Sequence, residues 1–343
     1  MPSSGERGIE GVRSFFSFGE QTLHYFDRPH GGTPCREPIV GPAAWYGSSM
    51  VGRDEWRVRL SAAHIAEIEE ALVVAQASGK ATADLTAADF PLPTLAREIA
   101  TWRDELQSGR GFQLIQGVPV ARWGDEAAGV FFWCFGLHLG RPGAQNPQGD
   151  LLGHVTDTGD AVSDPYVRRY RTPANIAYHC DAADVVGLLC LRTARQGGAS
   201  RIASSVTVYN ELLRRHPDLV ARLYEPFHLD VRNDDSSGTL RHVPIPPCRF
   251  HEGKLRTFYH SDYFRSVVRH DDVSPFTATE QAVLDTYESI AAEPTLRLDM
   301  VFEPGDIQLL SNHTILHART AYEDQAEAAH KRHLLRLWLS IAG

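Results

Sequence analysis

Apolar residues return at helical spacing in two early stretches, Ile65, Ile68, Leu72 and Val73, then Leu95, Ile99, Trp102 and Leu106. Each stretch follows a residue suited to an N-cap, Ser61 and Thr94, so the pattern predicts two amphipathic helices. The run Gly111–Pro119 is β-like and ends on Gly and Pro, which marks a strand closed by a turn; a buried helix is expected over 125–138. Val185–Leu191 is apolar enough for a buried strand, Gly197-Gly198 marks a turn into another, and a helix is expected over about 206–216. Between Glu225 and Tyr263, short apolar and aromatic pieces are parted by Ser236-Ser237-Gly238, Pro246-Pro247 and Glu252-Gly253, as in antiparallel sheet. Thr277 and Glu280 form a capping box ahead of a helix carrying Val283, Leu284, Tyr287 and Ile290. Strands at 296–302, 306–311 and 333–340 close the chain, with Pro304-Gly305 turning between the first two.

Two stretches lack this periodicity. Residues 1–50 are rich in Gly, Pro and Ser and read as an irregular arm laid on a single domain that spans 51–343. Arg141–Pro173 is dense in Gly, Pro, Asn, Gln and Asp, and so long a connection inside a compact domain predicts a loop covering the substrate.

At 343 residues, 43% apolar and 22% charged, the chain is an ordinary globular one. A net charge of -9 argues against a polyanion-binding surface, so nucleic acid is not an expected partner. The richest apolar run, Val130–Leu137, falls short of the ~20 residues of a membrane span, and none is expected. Met1–Arg7 lacks a basic start and an apolar stretch, which places the protein in the cytoplasm. Five cysteines, scattered and without Cys-x-x-Cys, read as reduced thiols rather than a disulfide frame or zinc ribbon. A homo-oligomer is neither indicated nor excluded.

Chemistry enters with histidine. His-x-Asp plus one remote His is the ligand set of a non-haem Fe(II) site, which needs three ligands on one face and open positions opposite. The motif alone selects nothing: it occurs five times, at His179, His216, His228, His260 and His270, where composition gives about two Asp or Glu matches by chance. Context favours His179 and Asp181, which precede an apolar strand and leave ample chain downstream for a third ligand. His228 and His260 read instead as strand residues in ordinary sheet positions. His317 offers an imidazole, and Arg332 and Arg336, bracketed by leucines, are guanidiniums suited to a planar carboxylate.

Ala177–Leu191 with its His179-Cys180-Asp181, Gly197–Ser200, Gly305–Gln308, Asn312–Thr320 and Arg332–Leu339 together resemble, in order, the TauD/TfdA family of Fe(II)/2-oxoglutarate-dependent dioxygenases. The likeness runs from about Gly111 to Ser340. It implies an α+β fold with a double-stranded β-helix core, jelly-roll-like and cupin-like, flanked by helices. It implies His179, Asp181 and His317 as iron ligands and Arg332 as partner of the distal carboxylate of 2-oxoglutarate. Ser200, where the family commonly has Thr, would add a hydroxyl, and Arg336 matches a second arginine near the cosubstrate or substrate anion. The implied reaction is oxidation, by default hydroxylation, of a small polar metabolite with O2, while 2-oxoglutarate becomes succinate and CO2. Asp181 disfavours halogenation; desaturation and cyclisation use the same metal set. Asn146, His154, Asn175, Tyr178, Tyr259 and Tyr263 are candidates for substrate contact. A barrel oxygenase needing no cosubstrate and a non-catalytic ligand-binding barrel remain as alternatives.

Overall fold

The computed structural model describes residues 15–27, 31–164, 166–232 and 240–341. Two sheets face each other. The larger runs in the order Arg57–Arg59, Phe112–Gln116, Ile307–Ser311, Val185–Arg192, His333–Ser340, Arg141–Gly143, with Gly153–Val155 also pairing along His333–Ser340. The smaller holds Arg297–Met300, Ser200–Ser204, Ile315–Arg319 and Ile176–His179, all antiparallel. Phe112, Leu114, Val186, Leu310 and Trp338 from the larger sheet pack on Ile202, Leu298, Met300 and Ile315 from the smaller. This pair of sheets is the double-stranded β-helix core of an α+β fold.

Helices cover both outer faces, which explains why central strands are apolar on both sides. On the larger sheet Phe131, Phe132 and Phe135 of the helix Val120–Leu139 pack against Leu189, Leu309 and Leu337. That helix approaches closely, since a Cβ on Gly136 would sit 2.7 Å from Leu337 Cδ1. It starts earlier than its apolar run predicts and kinks at Gly124, φ 78°. On the smaller sheet Leu212, Leu284 and Tyr287 from the helices Ser205–Arg215 and Ala278–Ala291 join Ala203, Leu316 and Ala318.

Capping predictions hold at Ser61, which accepts from the His64 N–H, and at Thr277 and Glu280, whose box is complete. Thr94 makes no side-chain cap; Glu67 accepts the N–H groups of Thr94 and Leu95 instead. Glu225–Tyr263 gives two hairpins, Phe227–Asp230 with His242–Ile245 and Cys248–His251 with Lys254–Thr257; the turn expected at Ser236–Gly238 lies outside the described residues.

The N-terminal segment departs from the irregular arm expected. Phe18–Phe26 is a helix with a full capping box, Ser17 and Glu20, and it buries Gln21 and Tyr25. Tyr25 donates to the carbonyls of Asn312 and Thr257 and stacks on His313 at 4.6 Å. The Gly- and Pro-rich surroundings hide a nine-residue helix whose apolar side is almost wholly aromatic.

Candidate active site

Alternation along a strand decides which side chains share a face. His317 pairs with Ile202 on one neighbouring strand and with His179 on the other, so the two imidazoles stand side by side, ring centroids 4.0 Å apart. Asp181 follows His179 just past the strand end and is fixed from the backbone: Asn312 accepts the Asp181 N–H at 2.9 Å and donates to Ala183 O at 2.9 Å. Asn312, fully buried, therefore joins the loop carrying one ligand candidate to the turn that leads into the strand of another.

Asp181 Oδ1 lies 4.0 Å from His179 Nε2, and Oδ2 lies 3.7 Å from His317 Nε2. A single ion with bonds of about 2.1 Å bridges atoms up to about 4.2 Å apart, so both spacings suit a shared metal. One ligand atom from each of the three lies within 4.8 Å of the others. His179 Nδ1 is 3.0 Å from Ala177 O, which as a donor would leave Nε2 free to ligate. Asp181 Oδ2, which faces His317 Nε2, is buried without a hydrogen-bond partner, an arrangement costly without a metal or proton donor to meet it. Burial, then the nearby His179, pushes His317 down to about 3, so its lone pair is available at neutral pH. Burial alone would raise Asp181, but Arg336, His317 and His179 hold it below the ordinary carboxylate range.

A cavity of about 310 Å³ opens beside these ligands. Arg168, Arg169 and Tyr170 close one side, which is where the connection 141–173 was expected to cover a substrate. Phe18, Thr22 and Phe26 from the N-terminal helix form another wall, with Phe258, Tyr263, Trp338 and His260 around them. Arg336 also lines it, held by its Nε donation to Gln145 Oε1 at 2.6 Å and flanked by Tyr170 and Trp338 at 4.5 and 5.4 Å.

Arg332 and Ser200 stand apart from this cavity. Ser200 Oγ is 3.1 Å from Gln308 Nε2, inside the barrel. Arg332 is buried beside Tyr322, and its Nη1 has no partner. Of the six residues expected to touch substrate, only Tyr263 lines the cavity. Tyr259 is buried in the helix-covered core and donates to Leu284 O, and Tyr178 is buried there too. Asn146 bonds Asp150, His154 faces His333, and Asn175 is exposed. Asn146, His154, Asn175 and Tyr178 lie on or beside the polar connection 141–173, whereas aromatic residues from other elements, such as Phe18, Phe26, Phe258 and Trp338, make up much of the lining.

His260 is the clearest omission. Instead of an ordinary sheet position it stands just before the helix Ser261–Ser266, forms an isolated antiparallel bridge with His179 and places its ring 5.0 Å from that of His179.

The profile of the family described as taurine catabolism dioxygenase TauD, TfdA family matches residues 77–338. The chain belongs to the TauD/TfdA family. As a TauD/TfdA member it is an oxygenase dependent on Fe(II), 2-oxoglutarate and O2. It is 30% identical over 309 residues to FR-33289 synthase of Streptomyces rubellomurinus, covering 89% of this chain and 91% of the relative. It is 29% identical over 304 residues to the taurine hydroxylase-like protein SAT17 of Stachybotrys chartarum, covering 86% and 77%. Among solved structures, an asparagine oxygenase in complex with Fe(II), (2S,3S)-3-hydroxyasparagine and succinate shares this TauD/TfdA fold at 17% identity, with a TM-score of 0.63 over 83% of this chain and 94% of that one. Among the described residues no helix is long and apolar enough to cross a membrane.

Proposed function

We propose that His179, Asp181 and His317 hold the Fe(II), that Arg332 and Ser200 receive the distal carboxylate of 2-oxoglutarate, and that a small polar metabolite is hydroxylated in the adjoining cavity. The observation that carries this reading is the convergence of three buried or half-buried side chains from two distant segments, with the carboxylate oxygen Asp181 Oδ2 having no hydrogen-bond partner. Bound iron supplies activation of O2, coupled to conversion of 2-oxoglutarate to succinate and CO2.

The chain's own contribution is placement and exclusion. Two neutral imidazoles and one carboxylate give the metal a single compensating charge. Arg332, buried and without an ion-pair partner among the described residues, gains from a carboxylate that would neutralise it. Phe18, Phe26, Phe258 and Trp338 keep bulk water from the reacting side, and Arg336 offers a cation to a polar group of the substrate. Ser200 can turn its hydroxyl from Gln308 to the cosubstrate at small cost.

We place the protein in the cytoplasm, as one domain over 51–343 with the described residues of 15–50 laid against it, and without nucleic-acid partners. Its five free thiols suit a reducing compartment and its charge of -9 repels polyanions.

Anaerobic addition of Fe(II) and 2-oxoglutarate tests the site: a weak visible charge-transfer band is expected. A folded protein that gives no band, or one whose His317→Ala variant gives the same band, overturns the assignment. Succinate release across a panel of small polar metabolites then identifies the substrate.

A further inference from the structure

A second buried arginine lies behind the metal ligands. Arg319 sits two residues beyond His317 on the same strand, opposite Ser200 in register, and is only 6% exposed. Its Nη2 donates to Thr172 O at 2.7 Å and to Ala174 O. Its Nε and Nη1 are buried with no hydrogen-bond partner, and it has no ion-pair partner among the described residues. Arg332 is in the same condition, 5% exposed with Nη1 unpartnered.

Tyr322 brings the two together. The guanidinium carbons of Arg319 and Arg332 lie 4.7 and 5.1 Å from its ring centroid. Asp324 acts on both arginines and Asp157 on Arg319, but neither forms an ion pair with them among the described residues, so two like charges and unpartnered buried donors are left that an anion would relieve. A carboxylate supplies both the missing charge and the missing acceptors. Arg319 also holds the last residues of the 141–173 connection, just after Arg168, Arg169 and Tyr170, which wall the cavity.

We propose that Arg319 is a second guanidinium of the 2-oxoglutarate pocket, and that through Thr172 and Ala174 it fixes the end of the covering segment when the cosubstrate is in place. This rests on the function proposed above. Arg319 thus serves two ends of one site: its free donors face the cosubstrate carboxylate, and its third nitrogen carries the backbone next to the cavity wall.

The test is anaerobic titration of the Fe(II) protein with 2-oxoglutarate and with 2-oxovalerate, in which a methyl replaces the distal carboxylate. Arg319→Gln and Arg319→Lys are each compared with wild type by the charge-transfer band, with circular dichroism as the check of folding. Weakening of 2-oxoglutarate binding by about tenfold or more is expected in Arg319→Gln, since the change removes charge-assisted hydrogen bonds to the carboxylate. Binding of 2-oxovalerate should be unchanged, which a purely structural role for Arg319 does not predict. Arg319→Lys keeps the charge and should fall between, and it decides the matter if the Gln variant does not fold. Trypsin supplies the second readout, cutting after Arg168, Arg169 or Arg171: 2-oxoglutarate should slow cleavage in wild type and not in Arg319→Gln. Wild-type affinity in both variants, an equal loss for both 2-oxo acids, or no protection of the wild-type segment overturns the inference. Failure of the wild type to bind 2-oxoglutarate at all would instead overturn the function beneath it.

Discussion

His179 and His317 are register partners on adjacent antiparallel strands, so a metal held between them fastens the strand Ile176–His179 to the strand Ile315–Arg319. Binding at the site therefore stabilises the fold as well as enabling chemistry. Metal at about 100 times its dissociation constant should add about 2.7 kcal/mol to unfolding. The expected outcome is a higher thermal midpoint with Fe(II) or Mn(II), reversed by chelator. His179→Ala, Asp181→Ala and His317→Ala should each lose the shift, with metal affinity by equilibrium dialysis reduced by about 100-fold or more, beyond the range seen for second-sphere changes.

Arg332 and Ser200 should differ in weight. Arg332→Gln removes a buried charged donor and should weaken 2-oxoglutarate binding by about 10- to 100-fold. Ser200→Ala should cost only a fewfold, because its hydroxyl already has Gln308 as a partner. Titration of the anaerobic charge-transfer band ranks the two; a larger loss at Ser200 would refute the assignment of Arg332.

Phe18 stacks on Trp338 with centroids 6.5 Å apart and lines the cavity. Phe18→Ala should leave affinities for Fe(II) and 2-oxoglutarate unchanged. It should raise the KM of the substrate found by the succinate screen at least fivefold, a loss of about 1 kcal/mol or more, as for an aromatic contact. Unaltered KM would remove the N-terminal helix from the substrate site.

His333 gives the protein an acid sensitivity. His154 Nδ1 lies 2.8 Å from its Nε2, and Arg192 Nη2 donates to its Nδ1 at 2.8 Å, so no site is left for a second proton. Burial, with His154 and Arg192 behind it, holds His333 down to about 4. The unfolded chain takes up this proton near 6.5, the folded one only near 4, so stability from this group is complete above 6.5 and lost as pH falls through that window. Urea midpoints of the metal-free protein should fall between pH 7 and 5, and less steeply in His333→Gln.

Gly305 turns the chain between two strands at φ 93°, and a Cβ there would meet Val118 O at 2.0 Å. Gly305→Ala should cost about 2 kcal/mol or more, combining backbone strain with a clash against main chain. Thr277→Ala, which removes the capping box of Ala278–Ala291, should cost about 1 kcal/mol. Chemical denaturation measures both, and the order of the two is itself a test.

Much of this architecture is legible in the sequence where local signals agree with tertiary demands. Thr277 and Glu280, Pro304-Gly305 and the doubly apolar Val185–Leu191 act within a few residues, so pattern alone locates them. The ordered family motifs point to His179, Asp181, His317 and the two arginines before any packing is known. Phe18–Phe26 is hidden by its Gly- and Pro-rich flanks, and its aromatic face has meaning only against Trp338 and Phe258. Thr94 looks like a cap, yet a glutamate from another helix takes that role. His260 reads as one chance His-x-Asp among five, because nothing local says that a long-range bridge sets it against His179. Arg319 carries its message in what it lacks, which no sequence displays.

The aromatic wall made by Phe18 and Phe26 lies outside residues 77–338, which the family profile matches, while the proposed iron ligands His179, Asp181 and His317 lie within them. Changes to the first turns of this helix can therefore alter the cavity wall without touching the segments that carry His179, Asp181, His317 and Arg332.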